Sequence, residues 1–184
     1  MVYVFRLLLV YALSLGVVAA HEQGDGTDIN ALAESAEGFF DQTFGDLQEE
    51  LEIVEEEGKA ALLVMFETAD CPWCLRMKQT VLNRQAVQDY FEEHFRVLSM
   101  DAEGDVVITD FDGNDITTKD FSLKVMRVRA TPVFAFFDGQ GNLIARHTGA
   151  LKNAHDFLLL GRFVADGHYS DTRFSRFRRE NQPG

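Results

Sequence analysis

The sequence predicts an α/β domain with a central mixed β-sheet flanked by helices. Two observations carry this prediction. Through the middle of the chain, short apolar runs alternate with segments of helical periodicity. Further along, two apolar runs are joined by DGQGN, which is the signal of an antiparallel hairpin. Because parallel strands are connected through helices and antiparallel strands through short turns, this order indicates a sheet that contains both pairings.

Residues 1–20 have the layout of a secretory signal peptide. Arg6 precedes an apolar run over residues 7–18, and Val18 and Ala20 occupy the −3 and −1 positions of a cleavage site. The alternative, a retained membrane anchor, is disfavoured because a span needs about 20 apolar residues. We therefore expect export, cleavage after residue 20, and no stable membrane insertion of the mature chain.

Residues 21–30 are predicted as a flexible polar leader, and residues 31–184 as a single domain. A helix is predicted over residues 31–57, with Gly45 as its weak point and Gly58 as its end. Its large apolar side chains recur at intervals of three or four residues: Phe40, Phe44, Leu47, Leu51 and Val54.

An apolar run, AALLVMF over residues 60–66, predicts a strand buried on both faces. The helix that follows it turns Cys74, Met77 and Val81 towards the core, because they are spaced i, i+3, i+7. The remaining elements are predicted as helix 84–94, strand 95–100, an inserted hairpin within 101–118, helix 118–126, strands 133–137 and 143–147, helix 152–166, and a short packed helix in the basic tail.

The composition argues against several classes of function. The formal net charge of −13 opposes binding to nucleic acid, which needs a basic surface. Covalent haem attachment needs a histidine directly after the second cysteine, where this chain has Leu75. A zinc site needs four ligands, and the five histidines form no close pair. We expect no metal, although a two-thiolate Cu(I) site remains a minor alternative.

The only two cysteines, Cys71 and Cys74, lie in the stretch FETADCPWCLRMKQTV. A disulfide between them closes a very short loop, so it would add little stability. Cys71 stands where a strand ends and a helix begins, and free N–H groups there stabilise a thiolate. Pro72 suits the first helical position because it has no N–H to leave unpaired. This placement predicts that Cys71 is the exposed attacking thiol and that Cys74, one turn on and more buried, resolves the mixed disulfide.

The dipeptide Thr131-Pro132 directly precedes the apolar run VFAFF. Its plain interpretation is a trans proline at the entry to a strand. The functional interpretation is a cis peptide bond beside the cysteines, which would bare the backbone of Thr131 to an extended substrate segment.

These segments together resemble the thioredoxin superfamily. The resemblance covers LLVMF, CPWC, the helix after it, TPVFAFFD, GNLIARHTG and the last long helix. It implies a thioredoxin fold with an extra N-terminal helix and a short hairpin insertion before a cis-proline, Pro132. It also implies a redox-active disulfide, Cys71–Cys74, with no other cofactor, and a substrate-binding surface formed by Pro72, Trp73, Thr131 and Pro132.

A finer resemblance is to exported periplasmic thioredoxins of the SoxW type. It is carried by DFDG, TTKDF, RHTGA and FVADGHY. It implies a periplasmic reductase of protein disulfides, associated with sulfur oxidation and supplied with electrons by a membrane thiol donor. We expect such a protein to be a monomer.

One position departs from the thioredoxin pattern. Thioredoxins place a buried acid six residues before the first cysteine, as proton acceptor for the resolving thiol, and this chain has Met65 there. Glu67 is the nearest acid on the strand, and its favoured interpretation is a solvent-facing strand end. Two routes for the proton of the resolving thiol remain open, one through water and one through Glu67.

Two other functions stay in competition with a reductase. A disulfide oxidant or isomerase differs from a reductase in its reduction potential. This potential ranges from about −270 mV for a reductant to about −120 mV for a strong oxidant. Oxidants of this class carry a large helical insertion and isomerases a dimerisation domain, whereas the insertion here is short. The other alternative is a Cu(I)-binding module that kept the motif.

Overall fold

The structure, a computed structural model, describes Ala36 and residues 38–182. The predicted signal peptide, the leader and residues 31–35 and 37 of the predicted first helix lie outside the described residues. The helices are α1 (Leu47–Glu56), α2 (Pro72–Met77), α3 (Gln85–His94), α4 (Thr118–Asp120), α5 (Ala154–Ala165) and α6 (Phe174–Glu180). The strands are β1 (Ala61–Glu67), β2 (Phe95–Asp101), β3 (Val107–Thr109), β4 (Asp115–Thr117), β5 (Val133–Phe137) and β6 (Leu143–Thr148).

The main sheet has the order β2-β1-β5-β6, with β1 and β2 parallel and the other neighbours antiparallel. The predicted mixed sheet is therefore confirmed. Strand β1 is central, and its register with β2 runs without a break from Ala61 opposite Phe95 to Glu67 opposite Asp101. This regularity fixes which side chains of β1 point to each face.

The two faces of the sheet carry separate cores, since side chains alternate along each strand. On one face Leu63, Met65 and Phe134 pack with Cys74 and Met77 under helices α2, α3 and α5. On the other face Leu62, Val64 and Phe66 pack with Leu51 of α1 and Phe121. Strand β1 is buried on both sides, as predicted for the apolar run that forms it.

The predicted helix over residues 31–57 is wrong over residues 38–46, because the helix α1 begins only at Leu47. Gly45 adopts a left-handed φ of +88°, and the Asp46 carboxylate caps α1 by accepting the N–H groups of Gln48 and Glu49. Phe44, expected to face inward, is fully exposed at 101%. A glycine followed by a capping aspartate thus overrides the apolar periodicity.

The segment before α1 runs along the outer edge of β2 instead. The Asp41 N–H donates to the Val97 carbonyl at 2.7 Å, and the Val97 N–H donates to the Asp41 carboxylate at 2.7 Å. Arg96 holds this segment through an ion pair with Asp41 at 2.9 Å and a hydrogen bond to the Gln42 carbonyl at 2.7 Å. Its Nε also pairs with the buried Glu50 at 2.7 Å. An exposed sheet edge is a site for unwanted pairing, and this segment occupies part of it.

The predicted insertion is a hairpin, formed by β3 and β4 around a turn over residues 110–114. It docks on the start of α1, where the Thr109 N–H donates to the Gly45 carbonyl at 2.9 Å and the Gln48 amide donates to the Phe111 carbonyl at 3.2 Å. Within the helix predicted over residues 118–126, only the three residues of α4 are α-helical, and a π-helical turn, Phe121–Val125, continues them.

The C-terminal helix α6 packs on α5. Phe174 and Phe177 each lie 5.6 Å from the Phe163 ring, and the Gln182 amide donates to the buried Asp156 carboxylate at 2.7 Å. The predicted short packed helix in the tail is therefore confirmed. No helix within the described residues is long and apolar enough to cross a membrane.

Replacing Gly161 by alanine tests the contact between α3 and α5. A Cβ there would lie 2.8 Å from a carbon of the Tyr90 ring and 3.0 Å from one of Phe91. Phe91 cannot move away freely, because it is fully buried and stacked 4.5 Å from Phe157. Overpacking costs about 1–3 kcal/mol, whereas alanine gains about 1 kcal/mol over glycine in a helix. We expect Gly161→Ala to lower the free energy of unfolding by about 1 kcal/mol in urea titrations.

The matched control for this variant is Gly139→Ala, because a Cβ at Gly139 meets no atom within 4 Å. We expect its stability to stay within about 0.5 kcal/mol of the wild type. A stabilising effect of Gly161→Ala would mean that the helices separate easily and that this contact is not tight.

His147 should make the stability fall at acidic pH. Burial, with a further contribution from the Arg178 charge, lowers the pKa of His147 from its usual 6.5, while Asp156 opposes this. Below about pH 6.5 the unfolded chain therefore binds a proton that the folded chain refuses, so the free energy of unfolding decreases until the folded-state pKa is passed. We expect His147→Gln to flatten this decrease in unfolding curves measured as a function of pH. The same substitution at the exposed His155 is the control, and an equal flattening there would contradict the assignment.

Candidate redox site

The site lies at the carboxyl end of the central strand. Strand β1 ends at Glu67, the chain turns through residues 68–70, and α2 begins at Pro72. The turn is closed by the Cys71 N–H, which donates to the Thr68 carbonyl at 3.1 Å. The structure therefore confirms the predicted strand-to-helix junction, and Cys71 is the N-cap residue of α2.

Cys71 and Cys74 form a disulfide, with a Cα–Cα distance of 5.2 Å. The Cys74 N–H also donates to the Cys71 sulfur at 3.1 Å. Cys71 is 7% exposed and Cys74 is 2% exposed. The order of accessibility agrees with the predicted roles, but Cys71 is far less exposed in this oxidised form than the sequence suggested.

The start of the helix favours a thiolate on Cys71 once the disulfide is reduced. Pro72 fills the first helical position, and the first turn of α2 contains no acidic residue. Backbone N–H groups at a helix start are unpaired and stabilise a nearby negative charge. The side chain of Cys71 is therefore placed to act as a nucleophile.

Two exposed apolar side chains, Trp73 and Leu75, form an apolar rim on either side of Cys74 in the chain. Trp73, between the two cysteines, is 56% exposed, and Leu75 is 48% exposed. The Arg76 guanidinium lies 5.9 Å from the centre of the Trp73 ring, which helps to hold the ring in place. Exposed aromatic and aliphatic side chains beside a reactive group are typical of a surface that binds another protein.

Pro132 lies at the same end of the sheet as the cysteines. The Thr131–Pro132 peptide bond is cis, and Pro132 is followed by Val133, which pairs with Phe66 near the end of β1. Thr131 lines a cavity of about 410 Å³ that also contains Thr68 from the turn before Cys71. Of the four predicted substrate-binding residues, Pro72 and Trp73 are exposed, Thr131 is half-buried and Pro132 is buried. Their role in substrate binding stays a prediction.

A second cavity of about 310 Å³ opens directly on the cysteines. Its charged and polar lining comes from Glu67 of β1, Lys78 after α2, and Ser99 and Asp101 of β2. The Glu67 carboxylate accepts from the Lys78 ammonium at 2.7 Å and from the Ser99 hydroxyl at 2.5 Å.

The favoured interpretation of Glu67 as a solvent-facing strand end is wrong. Its side chain is only 16% exposed, and the strand stays regular through Glu67, so this residue shares the face of Met65 and of the cysteines. Lys78 was missed as a site residue, although its spacing of seven from Cys71 places it on the same helical face. Nothing in the sequence pointed to Ser99, because only the pairing of β1 with β2 brings it close to Glu67.

No group of three or more His, Cys, Asp or Glu side chains within residues 38–182 is placed to hold a metal ion. The two sulfur atoms supply thiol-disulfide exchange chemistry at the site. Reduced, the pair can attack a disulfide through Cys71 and close again through Cys74; oxidised, it can accept electrons from a dithiol.

Residues 47–165 match the family model of the thioredoxin-like domain. No curated protein sequence matches the chain significantly. Among solved structures, a thioredoxin-fold protein from Helicobacter pylori is similar with a TM-score of 0.61 and 20% identity, covering 82% of this chain and 96% of the other. At 20% identity, this similarity shows a shared fold only.

Two further structures share the fold. A candidate disulphide-isomerase from Bacteroides thetaiotaomicron is 27% identical with a TM-score of 0.52, covering 67% of this chain and 89% of its own. A thioredoxin from Thermus thermophilus is 24% identical with a TM-score of 0.50, covering 63% and 81%. With its thioredoxin fold and its Cys71–Cys74 pair at the junction of β1 and α2, the chain belongs to the thioredoxin-like domain family and is a thiol-disulfide oxidoreductase of that family.

Proposed function

We propose that this oxidoreductase works as a reductant of disulfides in partner proteins. The observation that carries the proposal is the charge around the sulfur atoms. The cavity beside them is lined by two carboxylates, Glu67 and Asp101, and by one ammonium group, Lys78. A strong oxidant owes its potential to a stabilised reduced form, in which the nucleophile is a thiolate. A net negative lining opposes the thiolate that the start of α2 favours, and this makes the pair more reducing than the helix start alone would.

The reaction proceeds in two exchanges. The Cys71 thiolate attacks one sulfur of the partner disulfide, the partner's other sulfur leaves as a thiolate, and a mixed disulfide joins the two proteins. Cys74 then loses its proton and attacks the Cys71 sulfur, which releases the second partner sulfur as a thiolate. Two electrons pass from the Cys71–Cys74 dithiol to the partner, and the Cys71–Cys74 disulfide is restored.

The cellular setting is part of the proposal. The signal-peptide layout of residues 1–20 supports a periplasmic location. A reductant outside the cytosol needs a source of electrons, so a membrane thiol donor would re-reduce Cys71–Cys74. The resemblance to SoxW-type thioredoxins supports the proposal that its partners are sulfur-oxidation proteins. We propose a monomer, with the rim of Trp73 and Leu75 taken up by transient partners rather than by a second copy.

An oxidant or isomerase is the second candidate, and the similarity to the Bacteroides protein favours it. Against it, the described chain between β2 and β5 contains only a hairpin and a short helical segment, rather than a large helical insertion. A Cu(I) carrier is the third candidate. It requires the reduced pair to bind Cu(I) tightly and to leave protein disulfides intact.

The reduction potential of the Cys71–Cys74 pair tests the proposed direction. We expect a value close to that of thioredoxin, about −270 mV, when the mature protein is equilibrated with dithiothreitol or glutathione buffers. The fluorescence of Trp73, the only tryptophan, reports the redox state because this residue sits between the cysteines. A value near −120 mV, which is about that of a strong oxidant, would overturn the reductant proposal.

Replacing Cys74 by serine should trap the partners. The mixed disulfide on Cys71 can then no longer be resolved, so covalent complexes should accumulate in periplasmic extracts and disappear on reducing gels. The Cys71→Ser variant is the control and should trap none. Equal trapping by both variants would contradict the assigned order of attack.

A further inference from the structure

The face shared by Glu67 and the cysteines raises the question of what removes the proton from Cys74. This thiol is 2% exposed and must be deprotonated before it attacks Cys71. Met65, which occupies the position of the thioredoxin acid, has no group that can accept a proton. Since β1 is regular, Glu67 lies on the same face about 7 Å further along the strand, towards the cysteines.

The contacts of Glu67 hold its carboxylate at the mouth of the redox site. Lys78 comes one helical turn after Cys74, so the two side chains lie on the same face of the helix. The 2.7 Å ion pair between Lys78 and Glu67 therefore links β1 to the helical turn that carries Cys74. The Ser99 hydroxyl donates to the same oxygen, Oε1, from the neighbouring strand β2. This leaves the second oxygen, Oε2, without any of these contacts.

The cavity supplies the path between the two groups. Glu67 and Cys74 both line it, and its volume of about 310 Å³ has room for several water molecules at about 30 Å³ each. A carboxylate oxygen, a thiol and a hydroxyl give such waters the polar partners that they need. A proton can thus move from Cys74 to Glu67 over a short chain of water.

Other charged groups face Glu67 from the elements packed against it. Asp101 of β2 lines the same cavity, but it is exposed and its carboxylate accepts the Glu103 N–H at 3.0 Å. Lys78 is the cation, and its ammonium also lies 5.4 Å from the centre of the Phe40 ring. Glu67 is therefore the less solvated of the two carboxylates and the one anchored to the helix of Cys74.

We infer that Glu67 is the proton acceptor for Cys74 and that Lys78 and Ser99 position it. This deepens the proposed function, and it rests on the two-exchange chemistry but not on its net direction. When the mixed disulfide is resolved, the Cys74 proton passes through water to Glu67, the Cys74 thiolate forms a bond to the Cys71 sulfur, and the partner sulfur leaves with the bonding electron pair. Glu67 then gives its proton to solvent or to the departing thiolate.

The two exchanges can be timed separately with the chromogenic disulfide dithionitrobenzoic acid. Attack by Cys71 releases one coloured thiolate, and attack by Cys74 on the mixed disulfide releases the second. At about pH 7 we expect Glu67→Gln to slow the second release about 100-fold without slowing the first, because a positioned general base contributes at least about that factor. The rate of the second release should also become steeply dependent on pH, since hydroxide or buffer must then remove the proton from Cys74.

Rescue separates proton transfer from a structural role. Glu67→Asp keeps a carboxylate and should recover part of the lost rate. Acetate or imidazole added to Glu67→Gln should speed the second release in proportion to its concentration, which a merely structural defect would not allow. Lys78→Met, which removes the ion pair but keeps the carboxylate, should show a smaller loss than Glu67→Gln.

The control variant is Glu57→Gln, which removes an exposed carboxylate that pairs with Lys59 and should change neither release. Equal slowing of both releases in Glu67→Gln, or slowing without rescue, would overturn the inference. So would a selective loss in Asp101→Asn with Glu67→Gln unchanged. A reduction potential near the oxidising end would overturn the proposed direction alone, because the two coloured releases do not depend on it.

Discussion

The burial of β1 on both faces is the constraint on which the rest of the structure depends. A strand with apolar side chains in both cores cannot shift its register by one residue without turning every side chain to the wrong face. The parallel pairing with β2 and the antiparallel pairing with β5 are therefore fixed along its length. The point where β1 ends is fixed as well, and the redox motif begins four residues beyond it.

The properties of the redox site follow from the fixed position of the end of β1. Cys71 meets the unpaired N–H groups of a helix start, while Cys74 turns into the core beside Met77. Because the strand remains regular to its last residue, an acidic side chain reaches the same face as the sulfur atoms. The chain thus keeps a carboxylate beside the cysteines although the position used in thioredoxins is filled by Met65.

The elements that the sequence predicted well are those set by local composition. The apolar runs of β1 and β5 are continuous and bounded by charged or turn residues, so their limits could be predicted to within a residue. The first helix was misplaced because Phe40 and Phe44 continue an apolar periodicity that Gly45 and Asp46 interrupt. The role of Glu67 escaped prediction because its partners, Lys78 and Ser99, come from other elements and meet it only through tertiary structure.

The low exposure of both sulfur atoms affects which molecules can exchange electrons with this protein. A disulfide that is covered on most sides reacts slowly with small soluble thiols, since exchange requires a direct line of attack on one sulfur. A protein that fits against Trp73 and Leu75 can present its own sulfur from the open side. Under the proposed function, exchange with a docked protein partner is therefore expected to be faster than exchange with small soluble thiols.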